Sequence, residues 1–249
     1  MQVRTGAFIL FAATVFAAAP ASASAQVVQS LHLGGGFFSP KGFDSRAEGD
    51  VLVRDAFGEF LPFYPDLSDA LVFDVSDFRG GQVFGEWNVA FGNHVEVGAG
   101  VGFYRRSVPT VYFDLVDEFG GEIEQTLRLQ VVPLTAVVRF LPFGRAGDLQ
   151  PYVGAGVGLF NFRYSEFGRF VDPDTLDIYE DRFTTTGSAP GAVVLGGLRI
   201  PLGGDIYGLT LEGRYHIATG DTGGIDAGFL DEKIDLGGGQ FNIGFLVRF

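Results

Sequence analysis

QFNIGFLVRF, residues 240–249, closes the chain, and its reading decides the fold. Phe241, Ile243, Phe245, Val247 and Phe249 share one parity, and Asn242, Gly244 and Arg248 share the other. A period of two marks a strand with one face turned to an apolar medium. The same letters also fit a spaced pattern, Asn242-x-Gly244-x-x-Val247-x-Phe249, with an aromatic as the final residue.

Seven further segments alternate in the same way, which gives strands near 27–38, 80–91, 94–105, 125–140, 150–164, 190–201 and 206–218, with the eighth at 235–249. Their connections alternate in length. Phe91-Gly92-Asn93-His94, LPFGRAGDL (141–149) and PLGGD (201–205) are short, whereas the other four links run about 15 to 40 residues. Short turns at one end and long loops at the other are the pattern of a membrane-spanning up-and-down barrel. An even number of strands then places both chain ends on the short-turn side. A strand of about 11 residues, rising 3.3 Å each and tilted near 40°, covers roughly 25–28 Å, enough for an apolar band.

In the third strand Val95, Val97, Ala99, Val101 and Phe103 oppose Glu96, Gly98, Gly100 and Gly102. In the fifth, Val153, Ala155, Val157 and Leu159 oppose Tyr152, Gly154, Gly156 and Gly158. Alternation alone does not say which face points out. A soluble lipocalin-like barrel would turn the charged face to water and the apolar face inward.

The 249 residues contain no cysteine, 38 glycines and 27 phenylalanines, a usage unlike that of a soluble domain. Residues 1–25 read as a cleaved signal peptide: Arg4, then the apolar run Gly6–Ala19, then Ala23-Ser24-Ala25 at the cleavage site. Residues 26–249 form one domain. The formal charge is −13, and −14 once Arg4 leaves with the leader, which excludes nucleic acid as a partner.

The terminal pattern of Asn242, Gly244, Val247 and Phe249 resembles the C-terminal assembly signal of bacterial outer-membrane β-barrels. With the leader and the eight strands, the chain is similar over 26–249 to the small eight-stranded barrels of the OmpA-transmembrane, OmpX and OmpW type. That resemblance implies an all-β, eight-stranded antiparallel transmembrane barrel in the bacterial outer membrane. It also implies the barrel-assembly machinery and outer-membrane lipids, including lipopolysaccharide, as partners, and a monomer. The first loop, 39–79, is longer than in the simplest members of this group. Its apolar run VLVRDAFGEFLPFYPDLSDALVF suggests a lid or hairpin over the mouth, or a partner-binding patch.

The six letters VGAGVG occur twice, at 97–102 and 153–158. They do not make a dinucleotide fingerprint, which needs G-x-G-x-x-G followed by a helix. In a barrel Gly98, Gly100, Gly102, Gly154, Gly156 and Gly158 face inward. There they permit strand coiling and close packing, or leave a lumen cavity for a slender, small apolar ligand. Glu86, Glu96, Arg139, Arg199, Glu212, Arg214 and Arg248 fall on the inward parity. Buried charges must pair, so they read as an ionic plug, with a gated polar path as the alternative. Apolar residues change parity at Pro133 in the fourth strand, which suggests a bulge there. Aromatics near the strand ends suggest two interfacial belts: Phe37, Phe38, Phe103, Tyr104, Phe160 and Phe162 on the loop side, and Phe91, Phe140, Phe143, Tyr152 and Phe249 on the turn side.

The four long links hold 24 of the 30 carboxylates. DPDTLD (172–177) and GDTGGIDAGFLDE (220–232) do not have EF-hand spacing, so solvated loop charge is the first reading and weak divalent-cation binding the second. Arg105, Arg106 and Arg163 lie at the outer rim, within reach of lipid phosphates. An enzyme would need a nucleophile beside a base; the histidines are His32, His94 and His216, and only His32, near Ser30, has a serine close by on its own face. The sequence therefore reads as a non-enzymatic outer-membrane barrel without cofactor or metal. Its expected role is structural or in surface interaction, with a narrow channel or carrier for small apolar solutes as the alternative.

Overall fold

Each of the eight alternating segments forms a strand in the computed structural model, which describes residues 27–202 and 206–249. The leader expected at 1–25 lies outside the described residues. The barrel strands are β1 (Val28–Pro40), β4 (Gly80–Phe91), β5 (Val95–Val116), β6 (Glu122–Phe140), β7 (Gln150–Val171), β8 (Ile178–Leu202), β9 (Tyr207–Asp221) and β11 (Gly238–Arg248). Every neighbour is antiparallel, and the ring closes where β1 pairs with β11. The short strand β10 (Lys233–Asp235) continues the register of β11 along β9. The first and last barrel strands meet at the short-turn side, where Gln29 N–H donates to Phe249 O.

The outward face answers the question that alternation left open. Leu33, Val83, Val97, Val101, Val138, Val153, Val157, Val194, Leu209 and Ile243 are all exposed, while Glu86, Glu96, Arg139, Arg199 and Glu212 are buried inside. A soluble barrel would have the reverse arrangement. Apolar walls and a charged interior fit a barrel that spans a lipid bilayer.

Three expectations need correction. The β5–β6 and β7–β8 links are not long loops: β5 and β6 run on to a turn at 117–121, and β7 and β8 to one at 172–177. Above the lipid band the strands keep pairing, but their outward residues turn polar and their inward ones apolar. The alternation then reverses in sign and stops reading as a strand. Pro133 marks the same reversal rather than a bulge. Pairing of β6 with β7 holds one register from Gln125 to Phe140, and the odd positions face inward throughout. Leu127, Leu129 and Val131 enter an apolar upper core, whereas Leu134, Ala136 and Val138 face lipid. The aromatic belts are thinner than expected. Phe37, Phe103, Phe91, Phe140, Phe143 and Phe249 point out, but Phe38, Tyr104, Tyr152, Phe160 and Phe162 are interior.

The first loop, 41–79, folds into the mouth. Helix α1 (Val51–Phe57) buries Val51 and Leu52 among Leu127, Phe160, Tyr164 and Ile234. Asp50 caps it, accepting from Leu52 N–H at 3.0 Å. A small hairpin follows, β2 (Phe60–Leu61) with β3 (Tyr64–Ser68). Val157 stands near the middle of the apolar band and is 66% exposed. Val157→Arg is expected to weaken folding into lipid vesicles by about 2–4 kcal/mol, and Asn161→Arg, nearer the rim, by about 1 kcal/mol or less. Urea titration of the vesicle-folded protein checks both.

Candidate functional site

From the turn side upward, the interior passes from charge to apolar contacts to a cavity facing outward. At the bottom, Arg248 donates to Gln150 at 2.8 Å and Arg199 holds Glu96 with both terminal nitrogens, at 2.8 and 2.9 Å. Above them Arg139 pairs with Glu86 at 2.5 Å and with Glu212 at 2.9 Å. Arg214 spans the same two acids, reaching Glu86 at 2.7 Å and touching Glu212 through Nε. Asn88 and Tyr152 complete the layer: Asn88 Oδ1 accepts from Arg139 at 2.7 Å, and Tyr152 donates to Glu212 at 3.0 Å. Six charged groups therefore cancel within a few ångströms, which makes burial in a narrow lumen tolerable. Neither Asn88 nor Tyr152 was singled out for this site from the sequence. Their inward parity was the available signal.

The paired glycine stripes make room for this layer. A side chain at Gly98 would meet Asn88, Arg139 and Glu86, and one at Gly100 would meet Glu86. Pro133 fills the space beside Gly102, Leu195 and Arg139 that beside Gly154, and Phe160 that beside Gly158. Gly156 lies against the Ala136 carbonyl and Val137. Voids of about 10 Å³, each the space of a single water, remain beside Gly100 and Gly102 and, next to it, between Tyr104, Pro133 and His216. The terminal pattern has lumen contacts as well. Asn242 accepts from Gln82, and Gly244 leaves the gap that the His32 ring occupies. Val247 pairs across to Leu31, and Phe249 is exposed at the turn-side edge.

Above the ionic layer His216 packs edge-on to Phe160 at 5.1 Å, and beyond it lies the apolar core capped by α1. His32 contacts Thr210 rather than Ser30, and His94 lies in the β4–β5 turn with Nδ1 2.8 Å from Leu141 O. In the 172–177 turn the Asp172 carboxylate accepts the N–H groups of Asp174 and Thr175. Among the described residues no group of three or more His, Asp or Glu is arranged to hold a metal ion.

Between α1, which carries Asp55, and β7, which carries Glu166, sits an acidic pair. Tyr164 donates to Asp55 at 3.1 Å, and Glu166, two residues along β7, is buried beside them. Burial, then the neighbouring Glu166 charge, push the Asp55 carboxyl well above its usual range. Burial likewise lifts Glu166 to about 7, against opposing hydrogen bonds from Tyr164 and Asp55. Nothing in the sequence around Asp55 marks this pair, because it depends on how the loop folds back. The pair borders an outward-facing cavity of about 320 Å³, lined among others by Phe60, Leu61, Tyr112 and Phe183.

Neither a family model nor a curated protein matches the sequence. Among solved structures, the outer membrane protein OprG from Pseudomonas aeruginosa is similar over 89% of this chain and 95% of its own, with a TM-score of 0.52 at 15% identity. Ail, the attachment invasion locus protein of Yersinia pestis, is similar over 90% of this chain and 99% of its own, with a TM-score of 0.42 at 11% identity. The likeness to OprG shows the fold: an eight-stranded barrel of the small outer-membrane type.

Arg139→Met would leave Glu86 and Glu212 facing each other with one guanidinium between them. The expected loss is about 3–5 kcal/mol, and adding Glu212→Gln should restore part of it. Urea unfolding of the two variants compares them. The acid pair gives a pH dependence of opposite sense to that of a salt bridge. Both carboxyls hold their protons more tightly with α1 docked than released, so docking is fully favoured below the usual carboxylate range. It weakens as pH rises through about 7, by at most about tenfold per pH unit for each proton released. The protection factors of residues 51–57, exchange rates divided into the intrinsic base-catalysed rate at each pH, should fall between pH 5 and pH 9 in the native chain, and Asp55→Asn with Glu166→Gln should flatten that response.

Proposed function

We propose that this chain is an integral protein of the bacterial outer membrane with a structural or surface-interaction role, working at the outer face of the bilayer. One observation carries this reading. The lumen is filled from the Glu96–Arg199 pair up to α1, while the strands of two hairpins and the first loop rise beyond the apolar band. A filled lumen does not conduct, and the acidic tips of the hairpins face outward. The strand β11, with Asn242, Gly244, Val247 and Phe249, is on this reading the segment that the barrel-assembly machinery recognises, and the chain acts as a monomer.

A carrier for small apolar solutes is the second reading, favoured by the 320 Å³ cavity and its aromatic lining. The ionic layer below that cavity argues against a continuous passage. Reconstitution of the mature chain in planar bilayers tests the first reading: no stepwise conductance is expected at neutral pH. Stable, reproducible conductance steps would overturn the filled-lumen interpretation.

A further inference from the structure

Outward residues change character sharply above the apolar band on the wall formed by β5 to β8. Cross-strand pairing aligns Arg105, Gln130, Arg163 and Thr186 in one row, Ser107, Arg128, Ser165 and Thr184 in the next, and Pro109, Thr126, Phe167 and Arg182 in a third. These twelve positions hold four arginines and no acid, in a chain of formal charge −13. Acids return one row higher, at Glu124 on β6 and Glu180 on β8. Among the described residues no carboxylate forms an ion pair with Arg105, Arg128, Arg163 or Arg182.

The arginines are held in place without acids. The Phe167 ring carries two of them, with the Arg128 and Arg182 guanidinium carbons 4.7 and 4.4 Å from its centroid. Arg128 Nε also donates to Ser107 Oγ at 2.9 Å, which leaves its terminal nitrogens free. Slight burial, then the charges of Arg105, Arg182 and Arg163, lower the pKa of Arg128. Four cations are thus gathered on one wall, and their mutual repulsion is uncompensated by the protein.

Height decides what compensates it. Arg105 lies two residues beyond the lipid-facing Phe103, and Arg163 four beyond Leu159. At about 3.3 Å per residue and a tilt near 40°, the row of Arg105 and Arg163 stands roughly 5–10 Å above the hydrocarbon, and the rows that carry Arg128 and Arg182 stand roughly 5 and 10 Å higher. The lowest row lies at the depth of the headgroup layer, which extends about 5–8 Å beyond the core on each side, and the two upper rows stand where the sugars of a glycolipid headgroup continue outward. We propose that Arg105, Arg128, Arg163 and Arg182 form a binding site for the phosphate groups of an outer-leaflet glycolipid. Guanidinium forks suit phosphate oxygens, and a cluster of them can hold a doubly phosphorylated headgroup against the wall. The inference rests on the proposed membrane orientation.

The mature chain, folded in detergent micelles, tests it by native mass spectrometry with two lipids: an acylated glucosamine disaccharide bearing two phosphates and its dephosphorylated form. The native chain should prefer the phosphorylated lipid by about tenfold or more, since charge-assisted hydrogen bonds are lost with each phosphate. Replacing all four arginines by glutamine should abolish the preference, whereas Arg145→Gln at the turn side should keep it. Equal retention of both lipids by the native chain would overturn the site, and that comparison stands even if the fourfold variant does not fold. Displacement by millimolar inorganic phosphate would overturn the lipid assignment in favour of a free-anion site. A chain that stays soluble without detergent would overturn the membrane reading instead, and so identify which of the two inferences had failed.

Discussion

Hydrogen bonds between β1 and β11, in an unbroken register from Ser30 against Arg248 to Pro40 against Gly238, join the first and last barrel strands and close the sheet across the lipid band. In hydrocarbon an unpaired N–H or C=O costs several kcal/mol, so a sheet survives there only when closed. Closure has two consequences for the side chains. It fixes which parity of every strand faces inward, and with eight strands it leaves an interior only wide enough for side chains. The neutral ionic layer, the glycines that yield space to it and the apolar upper core are all solutions to filling that cylinder.

The fold was legible where the chain crosses lipid. Val153, Ala155, Val157 and Leu159 opposite Gly154, Gly156 and Gly158 announce a strand because one medium lies outside and another inside along the whole stretch. Above that stretch the signal fails although the strand continues. Outward Arg163 and inward Tyr164 on β7, or outward Thr186 and inward Ala189 on β8, give an alternation of the opposite sense or none. Pro133 was misleading for the same reason: it stands where the two senses meet, in a stretch of β6 whose register against β7 does not change.

The interior charges were legible by parity. Their partners were not, because Arg139 with Glu212 and Arg199 with Glu96 are contacts across the lumen between residues 73 and 103 positions apart. The Asp55–Glu166 pair is harder still. It depends on a loop of mixed composition returning to the barrel wall, and no local pattern specifies where the returning residues come to rest.

The attachment of the first loop bears on the order in which the molecule is completed. Lys41 and Arg46 bind Asp235, through its carboxylate at 2.9 Å and its carbonyl at 2.8 Å, and Lys233 N–H donates to Gly49 O. Nearly two hundred residues separate the partners, and the later ones belong to β10, the short strand that leads into the closing strand β11. The helix of the first loop therefore has no finished seat until the last hairpin is in place. Its closure over the mouth is coupled to the completed barrel beneath it.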